Sequence, residues 1–226
     1  MLKLAPILLA VLYGLVNYRL SAWRLKAQLT ENSKPLTDPI LTPLMARMAK
    51  ALDIPKINVN IFEIEPVNGL AAPDGRIFIT RGFFNKYRMG EVTGEEMASV
   101  IAHELGHVAL GHSRRRMIDF SGQNAMRTAL AMILNRFLPG VGGIIAGFLG
   151  TLLVARLSRQ DEYEADAYAA ALLTKAGIGT APQISLFQKL NKMTGAAGAA
   201  QPAWMLSHPK ATERIAAIEA MEKRWG

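Results

Sequence analysis

Apolar positions change their spacing several times along the chain, and each change marks an element. The first stretch, Leu4 to Val16, holds no charged residue, and Arg19, Arg24 and Lys26 follow it. Counted from Met1 to Tyr18, it just reaches the roughly 17 residues that a membrane-spanning helix needs. It reads as an uncleaved membrane anchor; a cleaved signal peptide and a buried or surface helix are the alternatives, and no convincing A-x-A cleavage site follows it. Residues 27–38 read as a polar connector. Asp38-Pro39 then looks like a helix N-cap followed by a first-turn proline. Ile40, Leu44, Met48, Ala51 and Leu52 recur at helical spacing until Pro55. Ile57, Val59 and Ile61 alternate with their neighbours as in a strand. Val67 to Ala72 and Arg76 to Thr80, joined by Pro73-Asp74-Gly75, predict a β-hairpin.

Helical periodicity dominates the rest. Thr93 followed by Glu96 has capping-box spacing and predicts a helix running to about Met117. Phe137 to Val154 is uncharged but carries Pro139 and five glycines. A membrane-inserted segment and a helical hairpin packed through its glycines both fit that pattern. Another helix is predicted from Ser158 or Arg159 to Lys175, stopped by Gly177. A short helix over 183–193 and a low-complexity connector over 195–202 come next. His208-Pro209 opens a last helix with Ile215, Ile218 and Met221 on one face. The chain thus divides into an apolar anchor or signal segment (1–26), a connector (27–38) and one domain (39–226). That domain is predicted to be α+β, mainly helical with a small β-sheet or hairpin.

Composition narrows the chemistry. Half of the 226 residues are hydrophobic, enough for a sizeable core. There is no cysteine, which excludes a disulfide scaffold, a thiolate zinc site, an iron–sulfur cluster and a cysteine nucleophile. Any metal site must therefore draw on carboxylates and the four histidines. The net charge is +8, from 26 basic and 18 acidic residues. Arg114-Arg115-Arg116 has no aromatic residues interleaved, so no nucleic-acid partner is expected and anionic lipid is the better match for a basic surface.

His103-Glu104-Leu105-Gly106-His107 is an H-E-x-x-H pattern inside the capped helix. Positions i and i+4 share a helix face, so both imidazoles can reach one metal ion. Glu104 lies about 100° round from His103, placed to deprotonate a water molecule rather than to bind the metal. Three of the four histidines fall between 103 and 112 in a mostly apolar segment, where unpaired polar groups would be costly. The pattern therefore reads as a zinc site. A metzincin would carry a third His six residues after the second; Ser113 stands there. His112 lies about 180° from His103 on a continuous helix, and reads as a surface residue or a support behind a ligand. Eight acidic residues follow the motif, four of them in Asp161-Glu162-Tyr163-Glu164-Ala165-Asp166. Glu162 and Asp166 share a helix face, and Glu164 points elsewhere. The alanines at 165, 167, 169, 170 and 171 let this helix approach another closely. Glu162 is the best third ligand and Asp166 the natural acceptor for a ligand His N–H. A solvated acidic helix start is the plainer alternative.

HELGH, then Ser158-Arg159-Gln160-Asp161-Glu162-Tyr163-Glu164-Ala165-Asp166, then Ser207-His208-Pro209 with Arg214-Ile215, resembles the CAAX-prenyl-protease/HtpX-like gluzincins, the zinc metallopeptidases of peptidase family forty-eight. Asn68 to Gly82 is similar to that family's hairpin, which ends in T-R-G. The resemblance covers about residues 39–224. It implies a zincin-like fold, one zinc ion (Zn2+) bound by His103, His107 and Glu162, Glu104 as general base, and Asp166 as a support. It also places His208 near the zinc, either stabilising an oxyanion or capping the metal in a latent form. Arg214, six residues on, can pin the last helix to the core through a carboxylate. The implied function is a metalloendopeptidase acting on unfolded or extended polypeptides in quality control, membrane-associated at the bacterial cell envelope, with lipid met by the N-terminal segment. The alternative is a latent metalloprotein acting as chaperone or adaptor. Multi-pass members place transmembrane helices between H-E-x-x-H and the third ligand. Here that interval holds one long apolar stretch, which points to a compact single-anchor branch and weakens transfer of a CAAX-processing substrate.

Overall fold

The computed structural model describes residues 4–72, 74–112, 115, 142–195 and 211–225. In chain order these form α1 (Leu4–Glu31), β1 (Ser33–Pro35), α2 (Leu41–Ala51), β2 (Val59–Phe62), β3 (Gly69–Ala71), β4 (Ile77–Thr80), α3 (Arg81–Arg88), α4 (Gly94–Ala109), α5 (Gly142–Lys175), α6 (Ala181–Gly195) and α7 (Ala211–Trp225). The architecture is α+β, mainly helical with one small mixed sheet.

The strands lie in the order β1-β2-β4-β3. Strands β2 and β4 run parallel, Val59 opposite Ile77 and Phe62 opposite Thr80. Strands β3 and β4 form the expected antiparallel hairpin, Ala71 opposite Ile77. Gly75 takes a φ of 86° at its turn, a conformation that glycine adopts without a Cβ clash. Strand β1 pairs antiparallel with β2, Lys34 opposite Ile61. It lies in the stretch read as a polar connector. Ser33-Lys34-Pro35 carries no apolar alternation, so only its main-chain pairing makes it a strand; as an edge strand it tolerates Pro35.

Helix ends differ from the sequence expectation in several places; α1 runs on to Glu31, so residues 27–31 of the expected connector are helical. Asp38 Oδ1 accepts from the amides of Ile40 (2.9 Å) and Leu41 (3.0 Å), but the N-cap position falls to Ile40 and the helix begins only at Leu41, so Pro39 lies before it. Helix α4 stops at Ala109 rather than near Met117, because Gly111 adopts a left-handed φ of 70°. Helix α5 is continuous from Gly142, with no break before Ser158. Its glycines weaken a helix by about 1 kcal/mol each, but no proline lies between 142 and 175 to end it. Residues 137–141, the start of the uncharged stretch, lie outside the described residues.

Helix α4 is the axis of the core. Its Met97, Ile101, Ala98 and Ala102 are buried among Leu41 and Met48 of α2, Ile77 and Ile79 of β4, Leu173 of α5 and Phe187 of α6. A smaller cluster joins Leu29 of α1 to Phe62, Ala72 and Phe78. Earlier in α1, Leu12, Tyr13, Leu15, Val16, Leu20 and Trp23 are exposed. Among the described residues no helix is long and apolar enough to cross a membrane.

The hairpin is tied to α3 by Thr80 and Gly82. The buried Thr80 hydroxyl accepts from the amides of Asn68 (3.0 Å) and Phe83 (3.3 Å), capping α3. Gly82 donates its N–H to the Ile64 carbonyl at 3.1 Å. A Cβ at Gly82 would lie 1.7 Å from the Glu65 carbonyl oxygen, so any side chain must displace main chain. Gly82→Ala is expected to destabilise the fold by about 3 kcal/mol, the upper part of the range for overpacking. Urea unfolding measures this, and an unchanged midpoint would contradict the packing.

Candidate metal centre

The site is built on α4, whose start is fixed by its cap. Thr93 Oγ1 accepts from the Glu96 amide at 3.1 Å and Glu96 Oε2 accepts from the Thr93 amide at 2.8 Å. Glu96 also accepts from Lys189 and Ser185, both at 2.7 Å, locking α6 against α4. One turn before its end, α4 presents His103 and His107 side by side. Their Nε2 atoms are 3.1 Å apart and their rings stand at 88°.

Glu162 reaches this pair from α5. Its Oε2 lies 3.3 Å from His103 Nε2 and its Oε1 3.5 Å from His107 Nε2. Close approach of the two helices makes this possible. A Cβ at Gly106 would come within 3.0 Å of Ala165, so the glycine of the motif and the alanine of α5 together set the spacing. All three groups are buried.

His103 is braced from behind. Asp166 Oδ1 lies 2.9 Å from His103 Nδ1. Arg214 of α7 holds the same carboxylate with two bonds, at 2.5 and 2.6 Å, and its guanidinium stacks 4.2 Å from the Phe187 ring centroid. Burial opposes ionisation of Asp166, but the Arg214 charge and hydrogen bonds outweigh it and hold its carboxyl below the usual range. An ionised Asp166 accepts, so His103 donates Nδ1–H to it and turns its Nε2 towards Glu162. Burial likewise opposes a charged His103, yet its hydrogen bonds to Asp166 and Glu162 push its pKa up to about 9. Carboxylates on both sides of His103 favour positive charge there, a demand that a proton on Nε2 meets when no metal is bound.

A cation fits that demand. The donor set is two imidazole nitrogens and a carboxylate, all lying within 4.8 Å of one another. Separations of 3.1 to 3.5 Å match the roughly 3.3 Å between neighbouring ligand atoms of a tetrahedral centre with bonds near 2.0 Å. Glu104 is buried next to this set, on the side facing β3: a Cβ on Gly69 would lie 3.0 Å from its Oε1.

Other expectations divide. His112 is fully buried, neither a surface residue nor 180° from His103, because the chain turns at Gly111. Its Nδ1 lies 3.0 Å from His107 Nδ1 and its Nε2 3.1 Å from Glu164 Oε2. Glu164 is thus tied to the centre through His112, although it points away from Glu162 on α5. Asp161 Oδ1 is 3.7 Å from His112 Nε2 and is held by Arg115 at 2.8 Å. Arg214 does pin α7 to the core through a carboxylate, that of Asp166. His208 lies outside the described residues. The clue that escaped sequence reading was Gly111, whose helix-ending role redirects everything after it.

Residues 35–222 match the family model described as peptidase family M48. The chain is 32% identical over 182 residues to Metalloprotease LoiP of Escherichia coli (strain K12), covering 77% of this chain and 66% of that protein. It is 33% identical over 180 residues to Metalloprotease YcaL of the same organism, covering 75% and 65%. It is 26% identical over 248 residues to a Protease HtpX homolog of Variovorax paradoxus (strain S110), covering 93% and 81%. The matches to the two E. coli proteins thus span just under two thirds of their length.

Proposed function

The chain belongs to peptidase family M48, and from that premise we propose that it is a zinc metalloendopeptidase cleaving unfolded or extended polypeptides. The observation that carries the reading is the convergence of His103, His107 and Glu162 with Glu104 beside them, next to the edge strand β3. His103, His107 and Glu162 would hold one zinc ion. Zinc bound there would polarise a scissile carbonyl and acidify a water molecule. Glu104 would accept a proton from the attacking water molecule and pass it to the leaving amine nitrogen. Asp166 keeps His103 in the ligating tautomer.

The sheet order supports an extended substrate. Strand β3 is at the sheet edge, with β4 on its other side, so its outer main-chain groups can pair with a peptide in β-conformation. Such pairing reads main chain rather than sequence, and a folded protein offers no free strand to it. Residues 39–226 form the catalytic domain in this reading. The exposed apolar residues of α1, followed by Arg19, Arg24 and Lys26, support contact with an anionic lipid surface at the cell envelope.

Metal removal tests the proposal. The purified protein is expected to carry one zinc ion and to cleave casein, with cleavage lost on treatment with a chelator and regained on adding zinc. Cleavage that survives full removal of the metal would sink the reading.

A further inference from the structure

We propose that His112 is a positioning residue for the metal centre, acting on His107 as Asp166 acts on His103. The inference rests on the metal-centre reading above. Two Nδ1 atoms, of His107 and His112, face each other at 3.0 Å, so one hydrogen lies between them. The question is which ring carries it. A metal ligand must offer a lone pair from Nε2 of His107, and the hydrogen of a neutral ring then sits on its Nδ1. His107 therefore donates and His112 Nδ1 accepts. The hydrogen of His112 is then on Nε2, where Glu164 Oε2 receives it at 3.1 Å, with Asp161 Oδ1 at 3.7 Å behind.

The acceptor end of this chain is itself held. Gln160 Nε2 donates to Glu164 Oε1 at 2.9 Å, and Arg115 donates to Asp161 at 2.8 Å. Both histidines of α4 are thus braced by carboxylates of α5: His103 directly by Asp166, His107 through His112 by Glu164. The turn at Gly111 is what brings His112 under His107.

The same atoms admit a competing assignment. His112, Asp161 and Glu164 lie close enough to hold a cation of their own. The shared hydrogen decides against it. If His112 Nε2 gave its lone pair to a metal, its Nδ1 would carry the hydrogen and His107 Nδ1 would accept. His107 Nε2 would then bear a hydrogen pointing at His103 and Glu162, and His107 could not ligate. With neutral rings, the two sites exclude one another.

The test compares the full chain with His112→Leu, which removes the acceptor, and His112→Asn, which keeps one near the Nδ1 position. Zinc affinity is read by chelator competition, and the cobalt-substituted proteins are compared by their visible spectra. Loss of a partner behind a ligand His typically weakens metal binding 10–100-fold. His112→Leu is expected to bind one ion that much more weakly with an altered cobalt spectrum, and His112→Asn to recover most of the affinity. Nitrogen-15 NMR of histidine in the zinc-loaded parent needs no variant and should show His112 with hydrogen on Nε2 and none on Nδ1. Parental affinity in His112→Leu, hydrogen on His112 Nδ1, or two ions in the parent falling to one in His112→Leu would each overturn the inference. If instead the parent takes up no metal, or His103→Ala loses none, the metal-centre reading itself fails.

Discussion

Replacing Glu104 with Gln is expected to lower casein cleavage by about 10²- to 10⁴-fold, the usual contribution of a positioned general base. Zinc content should stay at the parental level. The side chain is 2% exposed and packs against Gly69 of β3. Gln has nearly the same volume and can hydrogen-bond, so packing in α4 and against β3 is retained. What it lacks is a carboxylate able to accept a proton from water and pass it on. Because Glu104 is not among the three converging ligand groups, metal uptake separates its role from theirs. Rate and metal content measured on the same sample decide the matter. Parental cleavage by Glu104→Gln would remove Glu104 from the mechanism, whereas loss of zinc together with activity would make it part of the cage.

The second large effect is expected at Arg214. Its side chain is wholly buried, and Asp166, which it holds with two bonds, is 1% exposed. Arg214→Ala leaves the Asp166 carboxylate in the core without its guanidinium, a change that costs about 3–5 kcal/mol for a buried pair. In a chain of this size the melting temperature should fall on the order of 10 °C. The stacking on Phe187 is lost as well. Arg214→Lys keeps the charge but not the two-point geometry, and should fall between the two. The paired change Arg214→Met with Asp166→Asn removes both charges and should recover part of the loss, while weakening the hold on His103. Thermal unfolding of the metal-free proteins reads the stability. If Arg214→Ala melts with the parent, α7 is not pinned to the core in this way.

Legibility differed element by element. The capping box at Thr93, the hairpin over 67–80 and the pairing of His103 with His107 follow from residues within a few positions of each other, where helix and strand periods act directly. Strand β1 was invisible, because three polar or imino residues become a strand only by bonding to β2. Of the two readings of His112, surface residue or support behind a ligand, burial excludes the first: the helical wheel holds only while the helix does, and Gly111 ends it. Glu164 was set aside on the same wheel. It does point away from Glu162, but the returning chain supplied a partner there.

By itself, the sequence determined which chemistry was available: no thiolates, one H-E-x-x-H helix, and one acidic helix with Glu162 and Asp166 on a single face. Those are statements about short-range geometry, and local backbone preferences settle them. Tertiary structure alone decided how α5 crosses α4, with Gly106 on Ala165, and that α7 delivers Arg214 to Asp166. It alone also decided that each histidine of the motif has its own brace. Apart from His107 and His112, which are 5 positions apart, these are contacts between residues 48 to 63 positions apart along the chain, and no period in the sequence reaches that far. They depend on close packing around α4, which brings Arg214 to the buried Asp166 and Lys189 to the buried Glu96.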